Sequence, residues 1–111
     1  MVALGLALAA CRAPVTDGDQ LAKEHRWTEA VASYKKALAD YPYDYDAAWG
    51  IAKIYCYETH FADKCVAWTD KLLEIYPYRE EFRAAARVGL RELAVKGERN
   101  AEAKLRRLER D

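Results

Sequence analysis

The chain has 111 residues, with 18 basic and 18 acidic side chains, a formal net charge of zero and 52% hydrophobic residues. This length suits one domain with a modest core, and this balance of charge and hydrophobicity is typical of a folded chain rather than a disordered one. A neutral chain has no general attraction to nucleic acid. No stretch of the sequence approaches the roughly 20 apolar residues that a membrane-spanning helix needs.

The chain begins with an unbroken apolar run, residues 2–10, which stops at Cys11. Runs of about 7 to 15 apolar residues that end on small residues are typical of the core of a secretory signal peptide. The sequence Leu-Ala-Ala-Cys at residues 8–11 resembles the lipobox of bacterial lipoproteins. This resemblance implies that Cys11 carries a lipid and becomes the mature N-terminus.

We therefore expect a signal segment over residues 1–10 and a tether over residues 11–15, where Pro14 discourages a helix. The resemblance implies a protein anchored by its lipid in the bacterial envelope, most simply at the periplasmic face of the outer membrane. No lysine or arginine precedes the apolar run, although signal peptides usually have one. Either the true start of the protein lies upstream, or the chain is not exported. In the second case residues 2–10 are expected to pack on the domain as an apolar helix.

Residues 25–43 recur 35 positions later as residues 60–78. A fixed period of this size predicts stacked helical hairpins. Eight pairs of positions are identical: His25/His60, Val31/Val66, Ala32/Ala67, Lys36/Lys71, Leu38/Leu73, Tyr41/Tyr76, Pro42/Pro77 and Tyr43/Tyr78.

Apolar periodicity, helix caps and prolines predict six helices. Thr16 is placed to cap the first helix, and either Asp44 or Asp46 to cap the third. The predicted ranges are about 17–25, 28–39, 46–58, 63–75, 79–96 and 101–110, which form hairpins over about 16–41, 44–76 and 79–111.

The spacing of Ala30, Tyr34, Ala37 and Pro42 resembles the second-helix signature of the tetratricopeptide (TPR) repeat, and Trp49 stands where the first helix of that repeat carries its tryptophan. The resemblance implies an all-α, TPR-like stack of about three hairpins, an α-solenoid, over residues 16–111. The period here is 35 rather than 34, so a turn is expected to hold an extra residue. In this family the small residues let two helices approach closely, while the tyrosine fills the gap between hairpins.

The first helix of each TPR hairpin lines a concave groove that receives a partner peptide or helix. A groove of the composition found here is expected to favour an apolar or aromatic peptide. Carried over by position, the predicted groove residues are Ala47, Gly50, Ile54, Tyr57 and Glu58.

Cys56 and Cys65 lie almost equally far from the turn between the third and fourth predicted helices. Antiparallel neighbours across a short turn can come within disulfide reach, so we expect a disulfide in an exported protein. Two reduced, buried cysteines are the alternative. A thiol or metal module of Cys56, His60 and Cys65, with Asp63 as a further ligand, is another, but the spacing matches no common zinc pattern. We expect no metal and no cofactor.

From residue 83 onward the chain has nine basic and five acidic residues. Arg83, Arg87 and Arg91 recur every four residues and form a basic stripe on the fifth helix, suited to an acidic partner or lipid headgroups, or simply solvated. Ser33 is the only serine and lies in the middle of a predicted helix, and no glycine-rich phosphate loop occurs, so we do not expect an enzyme.

Together these features predict a non-catalytic envelope lipoprotein that acts as an interaction scaffold or assembly factor. Its expected contacts are an unidentified protein or peptide, and the membrane through the lipid at Cys11. No nucleic acid or small-molecule substrate is expected, and a homo-oligomer or larger complex is compatible with so few hairpins. The alternatives are the thiol or metal module and, without export, a cytosolic TPR adaptor.

Overall fold

The structure is a computed structural model that describes the backbone of residues 2–110 and the side chains of residues 13–110. Residues 2–110 contain six α-helices and no β-strand, and the chain is 83% helical. The predicted all-α class is thereby confirmed. The helices are α1 (Val2–Lys23), α2 (Trp27–Asp40), α3 (Tyr45–Lys53), α4 (Ala62–Ile75), α5 (Glu80–Val95) and α6 (Arg99–Arg110), and a π-helical turn (Ile54–Glu58) continues α3.

The chain divides into two compact units, Met1–Ile51 and Ala52–Asp111. The first unit contains α1, α2 and most of α3. The second contains the π-helical turn, α4, α5 and α6. The boundary falls inside α3, so it coincides with none of the limits of the three predicted hairpins.

Helix α1 is longer than the sequence predicts. It includes residues 2–10, expected to form a signal segment, and residues 11–15, expected to form a tether. Pro14 lies inside it and supplies no backbone N–H for the helix. Packing on α2 offsets this loss: Val15 is buried, and the Ser33 hydroxyl donates a hydrogen bond to the Pro14 carbonyl at 2.8 Å. The Cys11 side chain lies outside the described side chains, and the signal segment and lipidation remain predictions.

The two copies of the sequence repeat have the same local conformation. α2 and α4 both have 14 residues and begin 35 positions apart. Each ends the same way, since the Tyr41 N–H donates to the Ala37 carbonyl at 2.9 Å and the Tyr76 N–H to the Leu72 carbonyl at 2.8 Å. The repeat is therefore structural as well as sequential.

A residue with positive φ precedes the second helix of each hairpin by two positions. It is His25 (φ 60°) before α2, His60 (φ 56°) before α4 and Gly97 (φ 92°) before α6. In this left-handed region L-residues are strained and glycine is not. The third hairpin therefore preserves the conformation of the repeat after its sequence similarity has faded, and the recurrence of histidine reflects a shared turn position.

Each unit has its own buried side chains. In the first unit the predicted inward face of α2 is confirmed, with Ala30, Val31, Tyr34 and Ala37 buried. In the second unit α6 packs on α4 and α5. The three helices meet in a buried cluster of Val66 from α4, Leu90 from α5 and Ala101 from α6. Four partly buried residues pack against this cluster: Leu93, Ala94, Leu105 and Leu108.

Candidate functional site

Three of the five predicted groove residues are buried: Ala47, Gly50 and Ile54. Tyr57 is 43% exposed and Glu58 is also exposed. Of the five predicted groove residues, only Tyr57 and Glu58 are therefore accessible to a partner. They lie together in the π-helical turn.

The interior of the first unit explains why position 50 is a glycine. A Cβ atom built on Gly50 would lie 2.6 Å from the Tyr34 ring, and one built on Gly18 would lie equally close to that ring. The Tyr34 hydroxyl donates a hydrogen bond to Asp19 Oδ1 at 2.6 Å. Burial and this carboxylate raise the pKa of Tyr34. Position 50 therefore serves packing rather than an open groove.

The sulfurs of Cys56 and Cys65 lie 2.00 Å apart, their Cα atoms 4.8 Å apart, and both side chains are buried. The predicted disulfide pairing is confirmed by this geometry. Gly89 of α5 lies directly against the bridge, because a Cβ atom there would come within 2.7 Å of Cys65 Sγ. The bridge therefore connects the π-helical turn to α4 at a place where α5 also packs.

The π-helical turn was not predicted. It closes with the Thr59 N–H donating to the Ile54 carbonyl at 2.9 Å, five residues back. A π-turn holds more residues than an α-helical turn, and such turns are frequent at functional sites. The π-helical turn lies between His25 and His60, the interval whose length of 35 rather than 34 residues predicted an extra residue. This longer period was the sequence signal for the turn.

The geometry bears on the alternative metal site as well. His60 Nδ1 lies 3.0 Å from Glu92 Oε1, and the two cysteine sulfurs are bonded to each other. Among the described residues, no group of three histidine, cysteine or acidic side chains is arranged to hold a metal ion.

The predicted basic stripe does not form an open cationic face, and the first of its arginines is buried. The Arg83 guanidinium donates to the Leu108 carbonyl at 2.6 Å and to the Pro77 carbonyl at 3.4 Å. Its charge and its donors are used to hold the end of α6 against the turn that precedes α5. The expectation that Arg83 belongs to an exposed basic stripe is therefore wrong.

The two other arginines of the stripe are paired within the second unit. Arg87 forms an ion pair with Glu80, and Arg91 Nη2 lies 3.6 Å from Glu109 Oε1. Periodicity correctly placed these residues on one helix face, but α6 and the first turn of α5 supply carboxylates to that face.

The described surface contains two features that the sequence did not single out. Tyr43 and Tyr78, at equivalent positions of the repeat, are 83% and 84% exposed. On α6, a shallow hollow of about 560 Å³ is lined by Ala103, Arg106, Arg107, Glu109 and Arg110.

Among the described helices, none combines the length and the apolar character needed to cross a membrane. Comparisons with protein-family models, with curated proteins and with solved structures found no match to this chain. Residues 2–110 therefore define an all-α protein of six helices with a buried cysteine pair.

Proposed function

We propose that this protein is a non-catalytic, TPR-like interaction scaffold that holds another protein at the bacterial envelope. The observation that carries the proposal is the shared conformation of the repeat: α2 and α4 match in length and in their terminal hydrogen bonds, and each follows a histidine with positive φ. Repeated helical hairpins are units that proteins stack to build extended binding surfaces.

The surface proposed to contact a partner is the π-helical turn at Tyr57 and Glu58. Both side chains are exposed, while the three residues before them, Ile54, Tyr55 and Cys56, are buried. Tyrosine is a common anchor in protein interfaces because it offers a large apolar ring with little conformational entropy to lose. A partner peptide or helix with an apolar or aromatic anchor is the expected ligand.

Photo-crosslinking in cells tests this binding surface. A photoreactive phenylalanine analogue placed at position 57 is expected to capture one discrete protein. The same analogue at Lys35, an exposed position on α2 that is not part of the proposed surface, serves as the matched control. Equal capture from both positions, or none from position 57 in a folded protein, contradicts the proposed surface.

The proposed address is lipid attachment at Cys11, on the periplasmic face of the outer membrane. We expect Cys11→Ala to shift the protein from the membrane fraction to the soluble fraction and to remove the mass of the lipid. A Cys56→Ala/Cys65→Ala variant is the control for cysteine loss and is expected to stay with the membrane. A soluble cytosolic location for both the parent and Cys11→Ala would instead favour the cytosolic adaptor.

A thiol or metal module on Cys56, His60 and Cys65 would first require reduction of the cysteine pair, because metals bind thiolates and not a disulfide. No observation in the described residues favours it over the scaffold. Metal analysis of the purified protein, before and after reduction, separates the two proposals.

A further inference from the structure

The guanidinium group of Arg83 holds the turn before α5 and the last turn of α6 close together at one end of the second unit. The Arg83 side chain bonds to the carbonyls of both Pro77, in the turn before α5, and Leu108, in the last turn of α6. Tyr78 follows Pro77 directly, and Arg107 precedes Leu108 directly. The turn that carries Tyr78 and the basic end of α6 are therefore neighbours, and we call this part of the surface the Tyr78 end.

Three arginines at this end have no acceptor among the side chains that the structure describes, residues 13–110. Arg106, Arg107 and Arg110 are exposed, and they line the hollow on α6. This arrangement differs from that of arginines 79, 83, 87 and 91, each of which has a carboxylate within ion-pair distance.

Most carboxylates near this end are already engaged; an exception among the described residues is Glu102, one helical turn before Arg106. Glu109, the acidic residue that lines the hollow, lies 3.6 Å from Arg91, and Glu80 pairs with Arg87. Glu81 lies 3.2 Å from Arg79. The three arginines of α6 therefore leave a local excess of positive charge on a protein whose formal net charge is zero.

The same end exposes two apolar side chains. Tyr78 is 84% exposed and Ile75, at the end of α4, is 51% exposed. Tyr78 and Ile75 therefore remain exposed at the end of the unit that also carries the three arginines. This combination matches the chemistry of a membrane surface, where tyrosine rings lie at the level of the headgroups and arginines bond to phosphates.

We propose that the Tyr78 end docks on the surface of an anionic lipid bilayer. Arg106, Arg107 and Arg110 bind lipid phosphates, and Tyr78 and Ile75 enter the headgroup layer. A fluid bilayer suits this surface better than a protein, because a stable protein interface buries about 800 Å² on each partner. Two separate apolar side chains and three exposed arginines do not supply such a surface. The inference does not depend on the proposed function or on a lipid at Cys11.

The test uses the full chain carrying Cys11→Ala, so that no attached lipid contributes. Binding is measured by cosedimentation with vesicles of phosphatidylcholine alone and of phosphatidylcholine mixed with phosphatidylglycerol. The triple variant Arg106→Gln/Arg107→Gln/Arg110→Gln is expected to bind the anionic vesicles on the order of 100-fold more weakly, about fivefold for each arginine. Binding to phosphatidylcholine alone is expected to stay the same, which separates this effect from any contribution of the apolar run at residues 2–10.

Two control variants are matched to the residues tested. Lys23→Gln/Lys35→Gln/Lys36→Gln removes the same charge from exposed positions of the first unit and is expected to leave binding to anionic vesicles nearly unchanged. Tyr78→Ala is expected to weaken vesicle binding, whereas Tyr43→Ala, at the equivalent and equally exposed position, is not. Circular dichroism and the Tm confirm that each variant is folded.

Three results would overturn the proposal. The first is binding that does not depend on phosphatidylglycerol, and the second is an equal loss in the arginine and lysine triple variants. The third is equal or tighter binding of the same arginines to an oligonucleotide or an acidic polypeptide. Because this experiment uses protein without a lipid and without a partner, its failure would leave the scaffold and the Cys11 anchor to be judged by their own tests.

Discussion

At the scale of single residues, His25 and His60 show how a position can recur for conformational rather than chemical reasons. Both have a positive φ, and Gly97 takes their place in the third hairpin. Helix α1 ends with the Arg26 N–H bonded to the Leu21 carbonyl at 2.9 Å, and α5 ends with the matching bond from Glu98 to Leu93 at 3.2 Å. Such six-to-one bonds belong to the Schellman ending, which requires a left-handed residue.

We therefore expect His25→Gly to change the free energy of unfolding little, and His25→Val to lower it by about 1 to 2 kcal/mol relative to the glycine variant. Both variants lose the stacking of His25 on the Trp27 ring, so their difference isolates the backbone conformation. Urea unfolding at neutral pH measures it. Equal stabilities for the two variants would contradict the assigned conformation.

Tyr34 is the residue whose ionisation is linked to folding. Burial, followed by the Asp19 carboxylate, raises its pKa in the folded protein. A tyrosine with a raised folded pKa contributes its full stability below its ordinary pKa of about 10, and loses that contribution as the pH rises through the folded pKa.

Tyr34→Phe removes the hydrogen bond to Asp19, so we expect it to be less stable than the parent by about 1 kcal/mol near neutral pH. The difference is expected to hold up to about pH 10 and then to narrow as the parent loses stability. Urea unfolding across this range measures it, with exposed Tyr43→Phe as the control. A difference that stays constant at alkaline pH would be inconsistent with the raised pKa.

At the scale of elements, the disulfide and Arg83 each fix the position of a segment in the second unit. The bridge joins Cys56 of the π-helical turn to Cys65 of α4, nine residues apart in sequence. Arg83 of α5 holds the last turn of α6 by its carbonyl. In both cases one specific interaction adds to the apolar packing of the element.

Removing the bridge by Cys56→Ser/Cys65→Ser is expected to lower the free energy of unfolding by about 2 to 3 kcal/mol, because a loop of this length is no longer constrained in the unfolded chain. Reduction of the parent should have a similar effect. Urea unfolding with and without reductant measures both. If the free energy of unfolding of the double variant still depended on reductant, the effect of reductant on the parent would not come from the Cys56–Cys65 bridge.

Arg83→Met retains most of the apolar stem but loses the bonds to the Leu108 and Pro77 carbonyls. We expect faster hydrogen exchange in the last two turns of α6 and a loss of about 1 to 3 kcal/mol in stability. Arg106→Met, on the exposed side of the same region, is the matched control and should leave exchange in α6 unchanged. Unchanged protection of α6 in Arg83→Met would contradict the anchoring role.

At the scale of the whole molecule, much of the fold could be predicted from the sequence. The limits of α2, α4, α5 and α6 lie within two residues of the predicted ones, because prolines, caps and apolar periodicity act over a single helical turn. The cysteine pair was predicted from its symmetry about a turn. The 35-residue period predicted two equivalent hairpin halves, and α2 and α4 have equivalent ends.

The sites were predicted less well than the helices. Ala47, Gly50 and Ile54 were expected to line a groove but are buried, and Arg83 was expected at the surface but bonds to Leu108. In each case the outcome depends on a segment distant in sequence, which periodicity within one helix does not identify. The unpaired arginines of α6 became apparent only once the partners of the other arginines were known.

The sequence by itself determined the helical class, the limits of α2, α4, α5 and α6, and the duplicated turns, because these follow from the conformational preferences of neighbouring residues. The tertiary structure alone decided that α1 continues through Pro14, that α3 ends in a π-helical turn and that Arg83 is buried. Each of these depends on which helix faces meet: the contact of α2 offsets the hydrogen bond that Pro14 lacks, and the end of α6 supplies the acceptor that lets a guanidinium be buried.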